Sequence, residues 1–143
     1  KAGEAAVIAN ARTPDVLVRL LAGEKLGTVF APARRRLSSR RRWIGQAAKT
    51  SGRIVVDDGA ARAVLEKGKS LLPSGITAVD GTFRKGDTVA VLDRQGREIA
   101  RGMTNYSAAQ VLKIKGLKSS QIAKALGESP YDEVIHRNNM TLR

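Results

Sequence analysis

The stretch from Gly75 to Gly102, GITAVDGTFRKGDTVAVLDRQGREIARG, leaves the chain few ways to fold. Its five glycines cut it into apolar runs of a few residues each, so no long helix fits. The runs read instead as short strands joined by tight turns. Ile76 to Val79 and Thr88 to Leu92 are the first two, Asp93-Arg94-Gln95-Gly96 makes a hairpin connection, and Arg97 to Thr104 returns. In the GTFRKGD centre, Gly81 and Gly86 permit backbone angles that other residues resist, which predicts a turn with Phe83 tucked into the core. Arg84-Lys85 at its tip has two readings: a solvated turn, or a phosphate contact that positions a nucleic acid without reading its sequence.

The flanks extend this pattern. Arg53 to Val56 reads as a strand, and Asp57 caps a helix with Ala60, Ala61, Val64 and Leu65 on one face and Gly68 at its end. Ser107-Ala108-Ala109-Gln110 is a capping box opening a helix that runs through Ile114. Ser119 or Ser120 starts another, with Ile122, Ala123 and Leu126 apolar and Gly127 stopping it. Tyr131 to His136, apolar at Val134 and Ile135, is the last strand candidate. The order predicts an α+β fold, a small mixed β-barrel over residues 52–143.

Upstream the texture differs. Ala5 to Ala9 is continuously apolar, the form of a strand buried on both faces. Thr13 reads as an N-cap with Pro14 at the first helical position, and Val16, Leu17, Leu20 and Leu21 follow at helical spacing as far as Gly23. Leu26 to Phe30 is a second strand. Strand, helix, strand predicts one βαβ unit of a parallel sheet over residues 1–31, and two strands alone cannot support such a sheet. The segment therefore reads as the end of a larger α/β domain whose beginning is missing.

Lys and Arg number 26 against 13 Asp and Glu, a formal charge of +13 that attracts polyanions. RRRLSSRRR supplies six of these charges: Arg34, Arg35, Arg36, Arg40, Arg41 and Arg42. The charge run marks residues 32–51 as a basic linker. The arginines have three readings: a solvated tether, salt-sensitive nucleic-acid attraction, or docking onto an acidic neighbouring domain. Trp43-Ile44 reads as an anchor pinning the linker's end.

Cysteine is absent and His136 is the single histidine, which excludes disulfides, thiol catalysis and the usual zinc sites. His136 has no carboxylate or nucleophile placed with it by local spacing, so a structural hydrogen bond is its expected role. No apolar run approaches the roughly 18 residues of a membrane span, and no signal-peptide layout is present, so a cytoplasmic protein with no membrane contact is expected.

The segment SGRIVVDDGAARAVLEKGKSLLPSGITAVDGTFRKGDTVAVLDRQGREIARGMTNYSA resembles a PUA domain, with its LLPSGI, GTFRKGD and ARG elements in the family's order. The upstream AVIANARTPDVLVRLLAGEKLGTVFAP is similar to the end of the amino acid kinase domain in the glutamate 5-kinase family, as are RRWIGQAAKTSG and VIHRNNM. The resemblance implies a PUA-type pseudo-barrel after a remnant of the kinase domain. It implies a parent enzyme that uses ATP and Mg²⁺ to phosphorylate the side-chain carboxylate of L-glutamate in proline biosynthesis, as a homo-oligomer. The parent's catalytic equipment is expected before Lys1. The sequence has no GxxxxGK[ST] loop, so no catalytic, cofactor-binding or metal residue is assigned and the chain alone is expected to be inactive. Resemblance to PUA domains of RNA-modifying enzymes implies a contact face near the first helix, and Arg62, Lys67, Lys69, Arg84 and Lys85 are the candidate RNA contacts. Base stacking has just Phe83, Tyr106 and Tyr131 to draw on there, which argues against sequence-specific single-strand recognition. The alternative reading is a stand-alone PUA-type RNA-binding module.

Overall fold

The computed structural model describes residues 5–31, 43–47, 49–128 and 130–143. The arginine run from Arg34 to Arg42 lies outside the described residues. The chain divides into two compact units, Lys1–Ser38 and Ser39–Arg143.

In the first unit, β1 (Ala6–Ile8) and β2 (Thr28–Phe30) flank α1 (Val16–Leu21). The strands pair antiparallel, Ala6 opposite Phe30 and Ile8 opposite Thr28, and not in the parallel βαβ arrangement expected. An apolar run encodes a strand but not its direction. Just before β2, Gly27 has a φ of 79° and lies close against the Ile8 carbonyl, where a Cβ would be 2.1 Å from the oxygen. Both strands are exposed, although the apolar run that forms β1 has the form of a strand buried on both faces. Helix α1 also starts later than expected. Asp15 is its N-cap in the left-handed region, φ 54°, while Thr13 belongs to a turn in which its N–H donates to the Asn10 carbonyl. Nothing on α1 is buried, and Leu21 is 91% exposed.

The second unit is built on one sheet of order β4-β3-β5-β6-β7. β3 (Gly52–Val56) pairs antiparallel with β4 (Ile76–Gly81) and parallel with β5 (Thr88–Leu92). The parallel pair needs a crossover, which α2 (Asp58–Leu65) and β4 provide. β5 and β6 (Glu98–Met103) form the hairpin read at Asp93 to Gly96, and β6 pairs with β7 (Met140–Leu142). β4 and β7 remain as edges, so the barrel is open.

Alternation in β3 sends Ile54 and Val56 inward, while β5 is buried on both faces as the central strand. These side chains meet those of α3 (Ala108–Ile114) and α4 (Ile122–Leu126) in one aliphatic core. Phe83 joins it as expected, because Gly52 leaves room: a Cβ there would sit 2.5 Å from the Phe83 ring. Asp57 caps α2 through Ala60 N–H, Ser107 and Gln110 form the capping box of α3, and Gly127 at φ 81° stops α4.

The closing strand lies elsewhere than expected. Tyr131 to His136 contributes one isolated bridge, Ile135 to Leu71, and β7 follows a turn at Arg137–Asn139. Val134 and Ile135 are buried, which produced the strand-like pattern, but their backbone bonds go to a loop rather than to the sheet. Among the described residues no helix is long and apolar enough to cross a membrane.

Candidate functional site

A cleft of about 650 Å³ opens between α2, the segment 69–75 and residues 133–137. Its construction starts at Asp57, whose carboxylate accepts from Ala60 N–H at 2.7 Å while its own N–H donates to the Gly75 carbonyl at 2.9 Å. Helix start and turn are thereby tied together. Gly75 is what lets them approach, since a Cβ there would stand 2.3 Å from Ala60 Cβ. Pro73 opens the short helical turn Pro73–Gly75, which leaves Leu72 and Ser74 lining the cleft beside Ala60 and Ala63 of α2.

The opposite wall is held by the single bridge described above. Leu71 N–H donates to the Ile135 carbonyl at 2.9 Å, and Val134 N–H to the Leu71 carbonyl at 2.8 Å. One step further, Arg137 N–H donates to Ser70 Oγ at 3.0 Å. These bonds bring Lys69, Ser70, His136 and Arg137 to the same opening. His136 Nδ1 accepts from Asn138 N–H at 3.2 Å, so in the neutral ring the proton sits on Nε2. His136 thus makes the structural hydrogen bond expected of it and also lines the cleft.

The cleft therefore offers two cationic side chains, two hydroxyls and an aliphatic floor, with Glu133 and the capping Asp57 as its acids. Such a set binds phosphate or carboxylate oxygens and covers an apolar or planar group beside them. Among the described residues no three His, Cys, Asp or Glu are grouped to hold a metal.

Of the five candidate contacts read from the sequence, Lys69 lines this cleft and the other four do not. Arg62 turns back along α2, its Nε donating to the Asp58 carbonyl at 3.3 Å. Lys67 is exposed beyond the end of α2. At the GTFRKGD tip, Arg84 N–H donates to the Asp87 carboxylate at 2.8 Å and Lys85 Nζ stands 4.7 Å from the centre of the Tyr131 ring. The tip is thus a built turn, and Tyr131 takes up its lysine. Of the three aromatics weighed for stacking, Phe83 and Tyr106 are buried. Sequence reasoning missed Arg137, Ser70 and Ser74. The serines sit inside the GKSLLPSGI run and were within reach of it, whereas Arg137 arrives through a pairing between residues 71 and 135 that no local pattern encodes.

Sheet order, crossover helix and side cleft define an open α+β pseudo-barrel domain with a polar opening that carries Lys69 and Arg137. A family model described as PUA domain matches residues 52–126, more than half of the chain, and the chain belongs to that family. The whole chain has relatives called glutamate 5-kinase. One from Caldanaerobacter subterraneus subsp. tengcongensis is 54% identical over 95% of this chain and 37% of its own length. Another from Dictyoglomus turgidum is 48% identical over 99% of this chain and 38% of its own length. The chain thus spans well under half the length of these curated relatives. Among solved structures, a PUA domain from Aeropyrum pernix K1 in a tartrate complex matches with a TM-score of 0.45 and 24% identity, covering 60% of this chain and 41% of that one.

Proposed function

We propose that this chain is the PUA-bearing region of a glutamate 5-kinase, an enzyme that transfers the γ-phosphate of ATP, with Mg²⁺, to the side-chain carboxylate of L-glutamate in proline biosynthesis. The observation that carries this reading is the 54% identity running through 95% of the chain, upstream unit included. In this reading the region is accessory to the chemistry, and its cleft takes an RNA, with Lys69 and Arg137 on phosphate oxygens and the hydroxyls of Ser70 and Ser74 beside them. A self-sufficient RNA-binding module is the less favoured reading, because such a module has no use for the exposed Leu17, Val18 and Leu21 of α1.

The test of parentage is formation of glutamyl hydroxamate from ATP, Mg²⁺, glutamate and hydroxylamine. The chain alone is expected to form none, and a full-length kinase carrying it to turn over. Turnover by the chain alone would overturn the accessory role, and a full-length protein without turnover would overturn the parentage. The cleft is tested separately by Lys69→Ala, which is expected to weaken binding of a short single-stranded RNA several-fold; unchanged binding would remove the cleft from consideration.

A further inference from the structure

Residues 99–127 contain no Asp or Glu and five cations. One of these, Arg101, is committed to Glu98 at 2.6 Å. The other four are Lys113, Lys115, Lys118 and Lys124, all exposed. Helix α3 buries Ala108, Val111 and Ile114, which at about 100° per residue puts Lys113 on its opposite pole. Helix α4 buries Ile122 and so presents Lys124, two residues on, away from the core. Lys115 and Lys118 stand in the connection between the two helices, Lys115 at the end of α3 and Lys118 before the short turn Ser119–Gln121. The two helices pack on each other and bury their apolar sides in the same core, and the connection between them carries the other two lysines.

Among the described residues this face lacks the acidic partners that four arginines of the unit have. Arg94, Arg97, Arg101 and Arg143 are ion-paired with Asp58, Asp93 and Glu98, on α2 and the β5–β7 side. Among the described residues no ion pair reaches any of the four lysines. The nearest acids in sequence are Glu128, just past α4, and Asp132, whose carbonyl accepts from the Ser119 hydroxyl at 2.9 Å.

We propose that the α3–α4 face is a second contact surface for the phosphate backbone of structured RNA, separate from the cleft and not dependent on the cleft reading. Lysines spread over two helices and their connection are point charges suited to a row of phosphates, and they lack the planar fork that reads a guanine edge. Recognition here is independent of base sequence. A lipid surface fits less well, because both helices spend their apolar sides on the core and Leu112 is the one large apolar side chain exposed between residues 108 and 126. The face also adjoins the cleft. Gly116 N–H donates to the Pro73 carbonyl at 2.8 Å, which places the lysine-bearing connection against the turn between Leu72 and Ser74. One RNA can therefore engage both.

The experiment is fluorescence anisotropy of a fluorescein-labelled RNA duplex of about 20 base pairs, titrated with the full chain between about 50 and 200 mM salt. All proteins carry Gln at the six arginine positions of 34–42, so that this run cannot mask the face. Changing Lys113, Lys115, Lys118 and Lys124 to Gln is expected to weaken binding about tenfold or more at the lower salt and to reduce the slope of log affinity against log salt by about 0.7 to 0.9 per lysine. A charge-matched control, Gln at Arg12, Lys25, Lys49 and Arg53, is expected to lose much less, and melting temperatures confirm that both variants fold. Equal losses in the two variants would reduce the effect to net charge and overturn the proposal. Loss with Lys69→Ala but not with the four lysines would overturn it while leaving the cleft reading intact; the converse would support it while the cleft reading fails. Four-lysine-dependent capture on phosphatidylserine vesicles with no effect on the duplex would overturn it in favour of a membrane surface.

Discussion

The Tyr106 hydroxyl grips the backbone of Tyr131 from both sides, donating to its carbonyl and accepting from its N–H at 3.2 Å, with the two rings edge to face at 6.2 Å. This tie fixes the start of the segment that ends in His136 and Arg137 at the cleft, and it holds Tyr131 under Lys85. Tyr106 is buried, so Tyr106→Phe keeps the packing and removes both hydrogen bonds. The expected loss is about 1–3 kcal/mol in urea denaturation, because two backbone groups lose a partner at once. A variant as stable as the parent would show that the tie contributes nothing to the fold.

Gly75 and Ala60 set the width of the cleft on its α2 side. Gly75→Ala puts a Cβ 2.3 Å from Ala60 Cβ, a methyl group fixed directly to the α2 backbone that cannot swing aside. The helix must move, at about 1–3 kcal/mol, and the Asp57 N–H bond to the Gly75 carbonyl should lengthen with it. Amide exchange at Asp57 is the direct readout: faster exchange is expected, and protection equal to the parent's would mean the site absorbs the methyl group without shifting α2.

Much of this architecture was legible in local chemistry. Asp57, the Ser107–Gln110 box and Gly127 mark helix ends through hydrogen bonds and φ values that their own residue types dictate, and all three stand where the sequence puts them. Phe83 was readable from the glycine-flanked turn around it, although the room for its ring is left by Gly52, far away in sequence. Long-range pairing was not readable. The apolar pair Val134-Ile135 looks the same to a periodicity argument whether its backbone joins a sheet or bridges to Leu71, and β1 carries no mark of whether its partner runs parallel or antiparallel. The cleft shares this limit, since it depends on bringing residues 69–75 to residues 133–137.

Glu98 ties the C-terminal strand to its neighbour by accepting from Arg101 at 2.6 Å and from Arg143 at 2.7 Å. The Arg101 hydrogen bond, helped by that from Arg143, holds the Glu98 carboxyl below the ordinary glutamate range against the opposing effect of burial. Its folded value thus lies below its unfolded value, so the stabilisation is present above the ordinary glutamate range and is lost as pH falls through the folded value. Glu98→Gln should cost about 1 kcal/mol near pH 7 and flatten the decline in stability as pH falls through and below the ordinary glutamate range. Denaturation midpoints measured across that range decide the matter, and parallel curves for the two proteins would sink the assignment.

Ile44, rather than the tryptophan before it, pins the segment that precedes β3. The sequence points to Trp43-Ile44 together as an anchor, yet Trp43 is 51% exposed while Ile44 is buried. The wide helical turn Trp43–Ala47 lies against β6 and β7, with Gly45 meeting Thr141, where a Cβ would be 3.0 Å from Thr141 Cγ2. Geometry thus turns the branched aliphatic side chain into the interior and the indole outward. Ile44→Ala is expected to cost about 2–5 kcal/mol through lost burial and the cavity left behind. Trp43→Ala should cost about 1 kcal/mol or less, since half its surface already meets solvent. Guanidinium denaturation of both variants distinguishes the two residues, and a larger loss for Trp43→Ala would mean that the indole, not Ile44, holds the turn to the sheet.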